Sequence, residues 1–333
     1  MQSFKVIFIE VNNKGKLIMK KAVILSCFIL HFFEFFILDA FGQRKIVVRK
    51  VIHAQHPKKP KKLLDRCKIE WLKEPIERPE YITVFIHGSR VIPHRLIAPS
   101  FFHCTSGLHK VSDLGCWYYY PKFASRLHIV DPKRFPLHTF YTYCWSGDFG
   151  FEKRERAAKT LYDLLVKEVK VYKKKYKKRP KLRIIGHSHG VSVALNLAKV
   201  KDKNDGIVFD EMFFFGGPVQ VATAHLALDS SIKKIYSFYS PFDLLQRIDP
   251  QGLYGYTKKN KLKAPIFSER CFKPHPKILQ VRLKYNGHGV VHLEYLSYHF
   301  LYVLPTLMDA MDSWQELNNP QENIEYLLKV LTK

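Results

Sequence analysis

Five consecutive residues, Gly186-His187-Ser188-His189-Gly190, have the types and the spacing for chemistry. A serine with glycine two places before and two places after it fits a sharp turn that lifts its hydroxyl clear of the chain. The chemistry would be nucleophilic: the hydroxyl attacks an electrophilic carbon while a nearby base takes its proton. A helix N-terminus behind such a turn favours the negative charge that develops. The pentapeptide alone is weak, because a glycine-rich turn with no chemistry spells the same letters. Its setting strengthens it: Leu182-Arg183-Ile184-Ile185 reads as a buried strand just before it, and Val191 to Val200 as a helix just after it. His187 and His189 beside the serine raise the question of a metal. No carboxylate or cysteine lies near them in sequence, so none is expected.

The elements that must position this turn follow from the apolar pattern. Tyr81 to Ile86 is a continuous apolar, β-branched run ending in His87-Gly88, the pattern of a strand buried on both faces. Leu137 to Cys144 reads as a second strand, with a turn at Trp145-Ser146-Gly147-Asp148. Glu152 to Lys177 carries Ala157, Leu161, Leu164, Leu165, Val169 and Tyr172 at helical spacing, and Pro180 stops it. Further strands are predicted at Ile207 to Phe209 with Met212 to Phe215, at Ile235 to Tyr239, and last at Ile278 to Leu283, before a helix from about Glu294 to Trp314. Strands alternating with helices predict an α/β fold: a doubly wound, mostly parallel sheet flanked by helices. The long irregular intervals, 89–120 and 244–276, are where functional loops belong, and 89–120 is a candidate lid. Within it, Cys116-Trp117-Tyr118-Tyr119-Tyr120 packs on the sheet or lines a pocket.

With the pentapeptide in this strand–turn–helix setting, residues from about 80 to 313 resemble the α/β-hydrolase superfamily, in particular its lipases and esterases. The resemblance implies an oxyanion hole from the backbone N–H groups of Ser89, after His87-Gly88, and of His189. It also implies the chain order nucleophile, acid, histidine. The acid is then Asp243 in Tyr239-Ser240-Pro241-Phe242-Asp243, unless that residue only caps a turn; Asp249, further into the loop, is the rival. The histidine is His292, at the mouth of the final helix, in preference to His288 in Asn286-Gly287-His288-Gly289. The implied activity is hydrolysis of carboxylic esters by Ser188, His292 and Asp243 through an acyl-enzyme, with no cofactor and no metal. Acyl transfer or thioester cleavage on the same site is an alternative. A non-catalytic protein that binds membranes or nucleic acid by charge is another.

The chain has 333 residues, 47% of them apolar, enough for one large α/β domain with extra segments and too apolar for wholesale disorder. Its net charge of +26 favours anionic partners such as a membrane surface, or reflects lysine gathered on solvated faces of a chain rich in Lys, Ile, Phe and Tyr. Zinc-ligand spacing and aromatic nucleic-acid signatures are missing from the sequence, so no specific nucleic acid is expected, and no obligate protein partner is evident. Of the six cysteines, Cys104 and Cys116 lie close enough for a loop disulfide; unpaired buried thiols are the other reading. Residues 1–42 read as a signal peptide or anchor: Met19-Lys20-Lys21, an apolar run from Ala22 to Leu38, then Asp39-Ala40-Phe41-Gly42, with Met19 the expected true start. Cleavage would give a secreted or periplasmic protein; otherwise residues 22–41 would anchor it. A basic segment, 43–79, then leads into the α/β-hydrolase domain, 80–333. A leader, a basic surface and an ester-cleaving site together point to lipid esters as substrate.

Overall fold

A computed structural model describes residues 48–55, 79–89, 104–115, 118–202, 204–250, 267–285, 288–317 and 324–331. The leader expected over 1–42 lies outside them, as does Cys116. No helix among the described residues is long and apolar enough to cross a membrane.

Among the described residues ten strands form one sheet. In chain order they are β1 (Val48–Gln55), β2 (Tyr81–Ile86), β3 (Gly107–Lys110), β4 (Phe140–Cys144), β5 (Lys181–His187), β6 (Glu211–Phe215), β7 (Ile235–Tyr239), β8 (Ile278–Tyr285), β9 (His288–Gly289) and β10 (Ile324–Leu331). The sheet order is β1-β10-β8-β7-β6-β5-β2-β4-β3, with β9 paired to β8. Only the β3–β4 and β8–β9 pairings are antiparallel. The helices are α1 (Tyr119–Val130), α2 (Phe151–Tyr176), α3 (Gly190–Val200), the short α4 (Val221–Ala224) and α5 (Leu244–Arg247), and α6 (Tyr298–Leu317).

Side chains alternate between two cores, as a strand of period two requires. Ile82, Val84 and Ile86 of β2 and Leu182 and Ile184 of β5 pack with Leu161, Leu165 and Val169 of α2 and Val193 and Leu197 of α3. Phe85, Ile185, Phe213 and Phe215 face the other way, against Phe123 and Leu127 of α1 and Phe300, Leu304 and Leu307 of α6. Each such fully buried side chain contributes about 1.5–3 kcal/mol. The result is a three-layer, doubly wound sheet. Its winding reverses at β2: the chain moves from β2 to β4 on one side, then returns through α2 to β5 on the other. A crevice opens at such a reversal, beyond the carboxyl ends of the strands, and the Ser188 turn follows β5 there.

Several sequence expectations need correction. The interval 89–120 is not irregular throughout, because β3 lies within it and α1 begins at Tyr119. Tyr119 and Tyr120 are buried against Phe85 and Phe123, so this part of the aromatic stretch packs on the sheet. Residues 137–139 form a 3-10 turn, and the strand begins only at Phe140. Ile207–Phe209 is not a strand, although Phe209 makes an isolated bridge to Ile232. The final helix is split into a 3-10 turn at His292–Leu296 and α6, whose interior accepts Pro305. Nor is β8 the last strand: β10 pairs with it, and β1, from within 43–79, pairs with β10. Finally, Cys104 bonds to Cys144, not to Cys116. The antiparallel register puts Gly107 opposite Cys144, which brings the segment just before β3 over that cysteine.

Candidate active site

Ser188 sits between β5 and α3 with φ of 53°, one of two non-glycine residues at positive φ among those described. A left-handed backbone is unfavourable for a residue with a Cβ and persists where the surroundings fix it. Here they do. The Ser188 N–H donates to the Phe215 carbonyl at the end of β6 (3.0 Å), and the Val191 N–H donates to the Ser188 carbonyl (3.0 Å). The flanking glycines are needed for closeness. A Cβ on Gly190 would lie 2.3 Å from the Ile86 carbonyl oxygen, and one on Gly186 would lie 2.9 Å from the Val191 nitrogen. Helix and strands thus meet backbone to backbone around the serine.

The chain leaving β2 touches the same serine. A Cβ on Gly88 would stand 2.5 Å from Ser188 Cβ. His87 is buried between Tyr120 and Trp145, with ring centroids 5.9 and 5.8 Å away. Trp145 holds it twice: the Trp145 indole N–H donates to the His87 carbonyl (2.8 Å), and the Trp145 backbone N–H donates to His87 Nε2 (3.3 Å). The ring is then the Nδ1–H tautomer, donating to the Gly88 carbonyl at 2.7 Å. Ser89 follows; its hydroxyl is buried and has no hydrogen-bond partner among the described residues. His189, on the far side of Ser188, is the N-cap of α3 and makes no side-chain cap bond.

Asp243, after β7, is fully buried. It caps α5, accepting from the Gln246 N–H at 3.0 Å, and it holds a histidine as well. Both of its oxygens lie 2.9 Å from His292 Nδ1. Gly216, at φ of 57°, makes room for this carboxylate, since a Cβ there would lie 2.5 Å from Asp243 Oδ2. Gly216 directly follows Phe215, the residue that holds the Ser188 N–H, so the elbow and the His292–Asp243 pair meet at the end of β6. No hydrogen bond joins Ser188 Oγ to the His292 ring among the described residues; such bonds are commonly loose until substrate binds. His288 lies in β9, opposite Tyr285.

Two further buried groups, His187 and Asp249, lie close to this set. The His187 ring packs 4.7 Å from the His292 ring, and its Nε2–H donates to the His292 carbonyl at 3.1 Å. Burial, and then the neighbouring His292, push the His187 pKa well below its usual value, so its ring is neutral. Asp249, the rival acid, does not meet His292. It is buried, and its Oδ1 lies 2.9 Å from His189 Nε2. Its other oxygen accepts from Gln220 Nε2 and from Ser268 Oγ. Burial raises the Asp249 pKa, but the bonds from His189, Ser268 and Gln220 outweigh it and hold the group well below the ordinary carboxylate range. Gln220 and Ser268 gave no signal in the sequence, because neither belongs to a motif.

Phe242, Leu245 and Ile248 after β7, and Val291 and Leu293 on either side of His292, are large apolar side chains left exposed; Leu293 is 69% exposed. All five lie within five residues of Asp243 or next to His292 in the chain. Elsewhere, Cys104, His109 and Cys144 place their donor atoms within 4.8 Å of one another. The two sulfurs are joined as a disulfide, so this trio offers no thiolate ligand in this state.

The strand order, the reversal at β2 and the strained serine between β5 and α3 are those of an α/β-hydrolase fold. No family model matches the sequence, and no curated protein matches it. Among solved structures, an esterase from Pyrobaculum calidifontis is similar at 12% identity and a TM-score of 0.36, over 72% of this chain and 76% of that one. A thermostable esterase from Pseudomonas putida ECU1011 is similar at 11% and 0.35, over 72% and 74%. Carboxyl esterase 2 from Tuber melanosporum is similar at 11% and 0.35, over 73% and 78%.

Proposed function

We propose that this protein is a serine hydrolase that cleaves carboxylic esters, with lipid esters as its substrate class. The observation that carries the reading is a strained serine at a strand–helix turn whose neighbouring strand ends hold a buried aspartate paired to a histidine. His292 Nε2 accepts the Ser188 proton while Asp243 keeps the Nδ1–H tautomer and stabilises the imidazolium. Ser188 Oγ attacks the ester carbonyl. The backbone N–H groups of Ser89 and His189 receive the oxyanion, and His292 returns the proton to the departing alcohol. Water, deprotonated by His292, then attacks the acyl-enzyme and releases the acid.

The exposed apolar side chains near Asp243 and His292 in the chain and the net charge of +26 favour a lipid surface carrying anionic headgroups. The Cys104–Cys144 disulfide agrees with an oxidising compartment, and so with a secreted or periplasmic protein delivered by residues 1–42. Fluorophosphonate labelling of the wild type beside Ser188→Ala, with mass spectrometry of the adduct, tests the nucleophile. A single adduct on Ser188, absent from the variant, is expected. A folded wild type that takes no label would overturn the reading. Hydrolysis of short nitrophenyl esters but of no dispersed lipid would remove the lipid assignment alone.

A further inference from the structure

His189 Nε2 lies 2.9 Å from Asp249 Oδ1, a buried pair one residue beyond the nucleophile. The pair belongs to a closed circuit. Asp249 Oδ2 accepts from Gln220 Nε2, and Gln220 Oε1 accepts from Ser192 Oγ at 3.0 Å. Ser192 stands three residues after His189 in the first turn of α3. The circuit therefore leaves the helix at His189, passes through the loops after β7 and β6, and re-enters the helix at Ser192. Ser268 Oγ fixes Asp249 from outside the circuit at 2.7 Å, and Val219 and Glu269 hold the two loops together as a backbone bridge.

The His189 ring makes no cap bond to its own helix, so this arrangement is not an ordinary helix cap. All four side chains are buried. Buried polar groups are costly unless satisfied, so such a circuit has essentially one arrangement in which it is stable.

We propose that Asp249, acting through the His189 ring, is a positioning residue: with Gln220 it clamps the first turn of α3 at two points, so that the His189 backbone N–H stays aimed at the oxyanion. The inference rests on the ester-hydrolase reading above. A donor fixed before charge develops needs no reorganisation during the reaction, so the clamp acts on the transition state more than on bound substrate. Loosening it lowers kcat and leaves KM nearly unchanged.

The experiment compares His189→Ala with His189→Gln in the full chain; the glutamine amide can donate to Asp249 from nearly the place of the imidazole Nε2–H. Asp249→Asn is measured beside them. Initial rates on a nitrophenyl ester and inhibition by an alkyl boronic acid, a tetrahedral mimic, are read with thermal unfolding of each variant. For Asp249→Asn and His189→Ala the expected result is a fall in kcat of roughly ten- to a hundredfold, with KM within about twofold and boronate affinity falling in step with kcat. His189→Gln is expected to recover at least about tenfold over His189→Ala. Folded His189→Ala and His189→Gln with the same kcat would overturn the clamp, as would a kcat loss with boronate affinity unchanged. If Asp249→Asn does not fold, the two His189 variants decide alone. If neither His189 variant folds, Ser192→Ala decides: it opens the circuit at its second point, and an unchanged kcat overturns the clamp. A wild type that neither labels nor turns over esters rejects the hydrolase reading instead.

Discussion

His292 and Asp243 meet at 2.9 Å, and so do His189 and Asp249, on either side of one serine. The two pairs share their chemistry and differ in everything around it. Both Asp243 oxygens face one imidazole nitrogen, and the residues on either side of His292 in the chain, Val291 and Leu293, are exposed. Asp249 divides its oxygens among a histidine, a glutamine and a serine, and that pair is closed in by the loops after β6 and β7. A histidine that can exchange protons with a substrate needs one free nitrogen facing the crevice. A histidine that holds a backbone needs every neighbour fixed. On the proposed reading, two His–Asp pairs serve different ends, set by which imidazole nitrogen each aspartate holds and by what else it binds.

The largest expected effect separates the pairs directly. His292→Ala should lower kcat by about ten-thousandfold or more in an ester assay, with little change in the thermal midpoint. His288→Ala should stay within about threefold of wild type. The large loss in His288→Ala, with His292→Ala near wild type, would make His288 the base instead. A smaller effect is expected from Gly88→Ala, whose new Cβ would stand 2.5 Å from Ser188 Cβ. Moving the nucleophile by even part of an ångström should cost about a hundredfold in kcat, with fluorophosphonate labelling slowed in proportion.

The smallest effect concerns stability, and it sharpens the contrast from the buried side. Burial lowers the His187 and His189 pKa values below 6.5; His292 adds to the shift at both, Arg154 adds to it at His189, and Asp249 opposes it there. A histidine with a depressed folded pKa is protonated more readily when unfolded, so stability falls as pH drops below about 6.5. Asp249, also depressed, adds a loss of the same sign as pH falls below about 4. Calorimetry should therefore show the midpoint falling by a few degrees between pH 7 and 5, and falling further towards pH 3. His187→Gln should shed part of the first step. A midpoint flat from pH 7 to 5 would mean that these rings are not held neutral.

Much of the site was legible because its residues are forced by local chemistry. Gly186, Gly190 and Gly88 are written in the sequence because a Cβ at each would collide with a neighbouring chain. The runs at β2, β5 and β6 are legible because strands buried on both faces must be apolar throughout. Less legible were the elements whose reasons are remote. β3 is a four-residue strand with no buried residue, and it exists because β4 offers it an edge. β1 and β10 pair across nearly the whole length of the chain. The Cys104–Cys144 bond joins residues 40 apart that the β3–β4 pairing brings together.

By itself the sequence determined the strand–turn–helix at Ser188, the alternation that makes a doubly wound sheet, and a short field of acids and histidines to accompany the serine. Local sterics and burial decide those things, and they leave their mark within a few residues. Only the tertiary structure decided that Asp243 takes His292 while Asp249 takes His189. Both aspartates follow β7 within six residues of each other, and nothing local distinguishes them. The distinction comes from Gly216 and Gln220, brought to the two carboxylates from the end of β6 by the winding of the sheet, and from Ser268, brought back to Asp249 by the fold of their own loop.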